Sequence, residues 1–88
     1  MAYRIEIDRD TQKWLARLTD EKLRARLVSA IERLSLNPRP SGVKKLKGFE
    51  QRYRVRVEDS RIVYEVRERL LLVLVLDVAD RKDIYRRN

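Results

Sequence analysis

The sequence contains neither cysteine nor histidine among its 88 residues. Without cysteine there is no disulfide bond and no thiolate metal site. Without histidine the chain lacks the commonest metal ligand and the side chain that most often exchanges protons near neutral pH. We therefore do not expect a zinc enzyme or a histidine-dependent nuclease, and the sequence predicts no cofactor and no metal.

Long apolar runs are also scarce. The longest spans residues 70–76, seven residues, whereas a membrane-spanning helix needs roughly 20. No segment has the pattern of a signal peptide. These absences predict a cytoplasmic protein without a membrane partner, and the chain length favours a single domain over residues 1–88.

Positive charge is what the sequence has in excess. Lysine and arginine number 22 against 14 acidic residues, a net charge of +8. Residues 41–88 carry +5 of this excess and residues 1–40 carry +3. This balance favours a polyanionic partner such as nucleic acid or an acidic protein segment. The alternative is a basic domain whose charge serves only solubility.

Hydrophobic periodicity predicts an α+β fold. Residues 3–8 alternate as a half-buried strand does, and two stretches of helical spacing follow, separated at Thr19 and Asp20 and ended by Pro38. Three strands are predicted at 53–57, 61–66 and 70–76, the last of them central. The expected architecture is an N-terminal strand, a two-helix antiparallel hairpin and a three-stranded antiparallel meander in one small sheet. For residues 77–88 the sequence predicts a strand extension or a short helical turn. The aromatic side chains assigned mainly to the core are Tyr3, Trp14, Tyr53 and Tyr64.

Arg54 and Arg56 are the strongest local signal for a binding site. Their spacing of two places both guanidinium groups on one side of a strand, roughly 6.5–7 Å apart. Arginine forms bidentate hydrogen bonds to phosphate and stays charged, so this pair suits two successive phosphates. Arg61 opens the next strand and is expected near Arg56 if it shares that face. The alternative for all three is a solvated strand face.

Lysines and aromatic residues extend the candidate site. Lys44, Lys45 and Lys47 lie in a connector and add affinity for RNA without sequence preference, although each alone is an ordinary surface lysine. Tyr85 is either an aromatic at the edge of the core or a phenol that stacks on a base or transfers a proton. Phe49 is either core or a stacking platform, and the sequence does not decide between them.

An ordered set of segments resembles the RelE/ParE toxin superfamily over essentially the whole chain. These segments are "AYRIEI" at residues 2–7, "KLKG" at 45–48, "YRVRVEDSRIVYEV" at 53–66 and "LLLVLVLDVADRKDIYRR" from residue 70. The resemblance implies a RelE-type toxin that enters the ribosomal A site and cuts messenger RNA, by attack of a 2′-hydroxyl on the adjacent phosphate. The implied partners are a RelB-type antitoxin, the ribosome and messenger RNA, with operator DNA bound indirectly through the antitoxin.

The resemblance also assigns roles to individual residues. Arg54, Arg56 and Arg61 match the family's basic strand residues, and we expect them to hold the RNA backbone. Arg81 matches the arginine after the last strand, which contacts the scissile phosphate. Tyr85 matches a C-terminal tyrosine that positions or deprotonates the nucleophile.

One position departs from some members of the family. Asp80 stands where these relatives have histidine, so Asp80 and Tyr85 are alternative bases, and a salt bridge from Asp80 to Arg81 or Lys82 is the slightly favoured interpretation of Asp80. Two other functions stay open on this basis: a ParE-like inhibitor of DNA gyrase, and a non-catalytic binding module with the toxin fold.

Overall fold

The computed structural model describes residues 2–80, which form a five-stranded mixed sheet with two helices on one face. The elements in chain order are β1 (Arg4–Ile7), α1 (Arg9–Arg17), α2 (Glu21–Leu36), β2 (Lys44–Lys45), β3 (Arg52–Val57), β4 (Ser60–Arg67), a 3-10 turn (Glu68–Leu70) and β5 (Leu72–Asp80). The strand order is β1-β5-β4-β3-β2. The α+β class and the meander of β3, β4 and β5 are confirmed. Neither helix is long and apolar enough to cross a bilayer, as far as the described residues go.

An aspartate caps each helix: Asp8 precedes α1, and Asp20, one of the two residues at the break that the sequence indicates, precedes α2. The Asp8 carboxylate accepts hydrogen bonds from the backbone N–H groups of Asp10 and Thr11 at 3.1 and 3.4 Å. The Asp20 carboxylate accepts one from the Leu23 N–H at 3.0 Å. Each carboxylate satisfies donors that the first helical turn leaves unpaired and carries the charge that the helix dipole favours there.

The sheet is wider than the sequence predicts. β1 pairs with β5 in parallel, and the short β2 adds an antiparallel edge strand beside β3. A two-residue strand carries too little alternation to be visible in a sequence. β5 also starts two residues later than predicted, because Leu71 adopts a left-handed conformation (φ 47°) that closes the preceding turn. Leu70 is consequently 61% exposed instead of lying in a central strand.

The core lies between the helices and one face of the sheet, here called the core face. Its largest fully buried side chains include Tyr64, Leu27, Leu34 and Ile62. Tyr3 and Trp14 are half-buried against this cluster and Tyr53 lies within it, as the sequence indicates. The opposite face, which neither helix covers, is here called the open face. Alternation along β3 and β4 puts residues 52, 54, 56, 61, 63, 65 and 67 on the open face.

A β-bulge at Leu76 changes the alternation of β5. Tyr64 pairs with Val75 whereas Val63 pairs with Asp77, so Leu76 is the extra residue. The Thr11 hydroxyl donates to the Leu76 carbonyl at 3.2 Å and so links α1 to the bulge. As a result Val75 and Val78 both face the core, and Asp77 lies on the open face.

A network of tyrosine and arginine side chains joins the connector after α2 to the sheet. The Tyr53 and Tyr64 rings stack with centroids 5.8 Å apart, and the Tyr64 hydroxyl donates to the Pro38 carbonyl at 2.6 Å. The Arg39 guanidinium lies 5.3 Å from the centroid of the Tyr53 ring and donates to the Tyr53 hydroxyl at 3.1 Å. Glu68 accepts hydrogen bonds from Arg39 and from Tyr3. These contacts tie β1, β3, β4 and the connector together at one end of the sheet.

Replacing Tyr64 by phenylalanine gives a pH-dependent test of this network. Burial raises the pKa of Tyr64, so the folded state keeps a proton that the unfolded chain releases above about pH 10. The stability that this phenol contributes is therefore present below pH 10 and is lost as the pH rises further. At pH 7.5 we expect Tyr64→Phe to lower the free energy of unfolding by about 1–2 kcal/mol, because the Pro38 carbonyl loses its donor. Urea denaturation should show a smaller difference in the free energy of unfolding between Tyr64→Phe and wild type above pH 10 than at pH 7.5. An equal difference under both conditions would contradict this role of the Tyr64 hydroxyl.

Two buried hydroxyls provide a matched pair for stability measurements. Ser60 Oγ is buried and has no hydrogen-bond partner among the residues that the structure describes, whereas the Thr11 hydroxyl is paired with Leu76. Ser60→Ala should leave the free energy of unfolding unchanged or raise it by up to about 1 kcal/mol, and Thr11→Val should lower it by about 1 kcal/mol. Chemical denaturation of both variants tests whether Ser60→Ala is the more stable of the two. A clear loss of unfolding free energy in Ser60→Ala would show that the Ser60 hydroxyl has a hydrogen-bond partner.

Candidate nucleic-acid interface

Pairing between β3 and β4 brings three arginines together on the open face. Arg56 is the direct cross-strand partner of Arg61, and Arg54 pairs with Val63 one step further along the same face. Directly opposed residues have Cβ atoms about 4.5–5.5 Å apart, and positions two apart on a strand are separated by roughly 6.5–7 Å. Arg56 is exposed and the other two are half-buried. The expected neighbourhood of Arg56 and Arg61 is therefore found.

The predicted lysines divide between the two faces of the sheet. Lys44 pairs with Arg54 and so extends the arginine row on the open face, whereas Lys45 pairs with Tyr53 and lies on the other face. Lys47 follows in the turn before β3. We call Lys44, Arg54, Arg56 and Arg61 the basic cluster.

The hairpin loop between β3 and β4 sets the register of the basic cluster. The loop has two residues, Glu58 and Asp59, and Glu58 has a left-handed backbone (φ 56°) that matches the strand twist of tight hairpins. Glu58 also forms a salt bridge with Arg26 on α2. This ion pair holds the loop against the helical layer.

Five of the ten arginines elsewhere in the described residues are neutralised by carboxylates, whereas none of the three in the basic cluster is. Five arginines form salt bridges: Arg4, Arg26, Arg39, Arg52 and Arg67. Within residues 2–80, no carboxylate forms a salt bridge with any member of the basic cluster. Like charges opposed across a strand pair destabilise a sheet. The cluster is therefore an arrangement that a bound anion would stabilise.

Two predicted site residues, Arg81 and Tyr85, lie outside the described residues. Asp80 ends β5, where it pairs with Ser60 in the register. The roles that the sequence suggests for these three residues stay predictions.

Asp77 is a residue at this interface that sequence reasoning missed. The bulge at Leu76 puts it on the open face, in the row that contains Arg54 and Val63. Simple alternation from the start of β5 would have assigned it to the core face. The bulge is indicated by Val75 and Val78, which are both buried although residues on one face of a regular strand are two positions apart, not three.

Phe49 and Arg52 also border the basic cluster, and of the two alternatives left open for Phe49 the core is excluded. The phenylalanine is 47% exposed and does not belong to the core. The Arg52 guanidinium lies 4.3 Å from the centroid of its ring, in stacking contact. Glu65 fixes this guanidinium through a bond of 3.3 Å and binds Arg67 at 2.6 Å. Arg67, helped by Arg52, holds the pKa of Glu65 below its usual range.

The basic cluster can bind phosphate and stabilise negative charge, but its own groups cannot transfer protons. Guanidinium groups stay protonated at any working pH. They suit a phosphate whose negative charge increases in a transition state, and removing one such donor commonly costs about 10²–10³ in rate. A base for any reaction here has to come from a carboxylate or a tyrosine.

Comparison with known proteins agrees with this fold. A family model described as "ParE toxin of type II toxin-antitoxin system, parDE" matches residues 3–85. The solved structures that match include the archaeal RelE–RelB complex from Pyrococcus horikoshii OT3, with 28% identity, a TM-score of 0.80, and coverage of 92% of this chain and 97% of that one. The intact Escherichia coli RelBE toxin–antitoxin complex matches with 25% identity, a TM-score of 0.77, and coverage of 90% and 96%. The RelB–RelE complex from Methanococcus jannaschii matches with 26% identity, a TM-score of 0.70, and coverage of 90% and 93%. The comparison with curated protein sequences gives no match.

These findings show that the chain is a toxin of a type II toxin–antitoxin system. The chain belongs to the ParE toxin family within the RelE/ParE superfamily, and its fold is that of RelE. The resemblance inferred from the sequence segments is thereby confirmed.

The unneutralised charge of the basic cluster predicts a gain in stability when one arginine is removed. Arg61→Thr takes away the direct repulsion with Arg56 and keeps a residue suited to strands, so the free energy of unfolding should rise by about 0.2–1 kcal/mol. The gain should shrink in high salt, which screens exposed charges. Arg67→Thr on the same strand is the control: it loses its bond to Glu65 and should not be stabilised. Denaturation at 20 mM and 500 mM salt tests both, and destabilisation by Arg61→Thr would mean that Arg61 has a stabilising partner.

Proposed function

We propose that this toxin is a ribosome-dependent endoribonuclease that cleaves messenger RNA in the A site, acting in the cytoplasm and without a metal. The observation that carries the proposal is the basic cluster, which places four cations on one uncovered sheet face. None of these four cations forms a salt bridge with a carboxylate in the described part of the chain. A single-stranded RNA backbone presents successive phosphates at a spacing close to that of Arg54 and Arg56 along the strand.

In this proposal the strand arginines supply binding and electrostatic stabilisation. The RNA 2′-hydroxyl attacks the adjacent phosphorus, an O2′–P bond forms, and the bond from phosphorus to the 5′-oxygen breaks, leaving a cyclic phosphate and a 5′-hydroxyl end. Arg54, Arg56 and Arg61 hold the backbone and neutralise the charge of the pentacoordinate phosphorus. Arg81 contacts the scissile phosphate.

Two protons move in this scheme: Tyr85 or Asp80 takes the proton of the 2′-hydroxyl, and the departing 5′-oxygen takes one from that protonated group or from water. A free tyrosine has a pKa of about 10, so Tyr85 needs neighbouring cations to stabilise its phenolate. Separate Tyr85→Phe and Asp80→Asn variants distinguish the two candidates, because only loss of the true base should change the pH dependence of cleavage.

A RelB-type antitoxin is the proposed inhibitory partner, as in the RelE–RelB complexes of similar fold. The described surface has an apolar groove of about 400 Å³ between α2 and β3, lined in part by Ala30, Leu34 and Val55. Such a groove suits the apolar side of an amphipathic segment. Acidic residues on the same segment would complement the basic face, and the antitoxin would link the toxin to operator DNA.

DNA gyrase inhibition is the second candidate function, favoured by the ParE description of the matching family model. It requires no cleavage chemistry and gives no role to an arginine row suited to phosphates. Under this alternative, substitutions in the basic cluster would leave toxicity intact.

A translation extract with purified protein tests the proposed function. Wild-type protein should cleave message on translating ribosomes and leave free RNA intact. Arg54→Ala, Arg61→Ala and Arg81→Ala should each reduce cleavage by about 10²–10³ and relieve growth arrest on expression. The control is Arg17→Ala, which removes one exposed charge from α1 on the other side of the sheet. Full toxicity of Arg54→Ala and Arg61→Ala would contradict the proposal. DNA breaks in a gyrase assay without cleavage of message would contradict it as well.

A further inference from the structure

The loop before β3 presents an aromatic ring beside the basic cluster, and the proposed cleavage reaction gives it no role. Phe49 is 47% exposed although it is large and apolar. Exposed aromatic rings next to a basic strand face are typical of sites where single-stranded nucleic acid stacks its bases.

The ring is held in place from one side. Arg52 stacks on it at 4.3 Å, and Arg52 is itself bound by Glu65, whose side chain is only 17% exposed. Two backbone hydrogen bonds of 2.9 Å, from Leu46 N–H to the Arg52 carbonyl and from Val66 N–H to the Gln51 carbonyl, fix the adjacent chain. A planar ligand would therefore meet a preorganised surface, which lowers the cost of ordering it.

The charge pattern around Phe49 selects for a neutral ligand. Phe49 borders a shallow concavity of about 400 Å³ that is also lined by Glu50 and Glu65. Arg52, which also lines the concavity, and Arg67 neutralise Glu65, so the surface beside the ring has little net charge. It therefore offers a phosphate less attraction than the basic cluster does, whereas an uncharged nucleobase can stack there and donate from its amino groups to Glu50. Phosphate is favoured next door, at Arg54 and Lys44. The concavity beside Phe49 therefore suits the base of a nucleotide, and the neighbouring basic cluster suits its phosphate.

The geometry along β3 fits this division. Arg52 and Arg54 lie on the same face, roughly 6.5–7 Å apart, and Phe49 lies beyond Arg52 at the end of the row distant from the Glu58 turn. We infer that Phe49, backed by Arg52, is a stacking subsite for one nucleobase of single-stranded RNA whose backbone follows the basic cluster. The inference rests on the proposed function, since that function supplies the RNA.

Fluorescence of 2-aminopurine tests the subsite with the full-length protein. A short single-stranded RNA with 2′-O-methyl groups resists cleavage, and one 2-aminopurine is placed at each position in turn. Wild-type protein should quench the label at one or more positions. Phe49→Ala and Phe49→Leu should abolish the quenching and weaken binding by about 5–150-fold, since Leu keeps the apolar bulk but not the aromatic face. Phe49→Trp should retain both.

Salt dependence separates failure of this inference from failure of the proposed function. Phe49→Ala removes no charge, so the slope of log affinity against log salt should stay that of wild type, whereas Arg54→Ala should reduce it by about one ion. Normal affinity and quenching in Phe49→Ala, with weakened binding in Arg54→Ala, overturns the subsite alone. Wild-type binding without quenching at any position also overturns it. Unchanged binding in both variants overturns the proposed function as well.

Discussion

The register of the β3–β4 hairpin is the constraint on which the candidate site depends. Shifting β4 by one residue would turn each of its side chains to the other face, burying Arg61 and exposing Ile62, Tyr64 and Val66. Burial of these three side chains and the two-residue loop at Glu58 both select the observed register. The same contacts that stabilise the core therefore align Arg56 with Arg61, an arrangement that is unfavourable by itself.

Arginine serves two different purposes in this molecule. Arg26, Arg39 and Arg52 are bound by carboxylates and join elements or strands. The Arg39 network with Tyr53 and Glu68 secures one end of the sheet, where Glu68 has a pKa lowered by its hydrogen bonds from Tyr3 and Arg39. Exposed ion pairs of this kind contribute little energy each and mainly fix geometry. The basic cluster has charges of the same type without such partners among the described residues, an arrangement that a bound anion would stabilise.

Local spacing was sufficient to predict the α+β class, the break between the helices at Thr19 and Asp20, and the neighbourhood of Arg56 and Arg61. It failed where that spacing is interrupted. The bulge at Leu76 moved Asp77 to the open face, and the left-handed Leu71 shortened β5. Phe49 lies in a loop without periodicity, so only its contact with Arg52 revealed its environment. The functional roles of Arg81 and Tyr85 came from family resemblance, not from spacing.

The central claim is that the open face of the sheet binds an RNA backbone through the basic cluster. Nuclear magnetic resonance of the Nε–Hε groups of arginine, during titration with a short 2′-O-methyl RNA, tests it most directly. The account predicts the largest shift changes at Arg54, Arg56 and Arg61, with Arg17 on α1 unaffected. Shift changes confined to Arg26, Arg33 and Arg56, which line the groove between α2 and β3, with Arg54 and Arg61 unaffected, would contradict it.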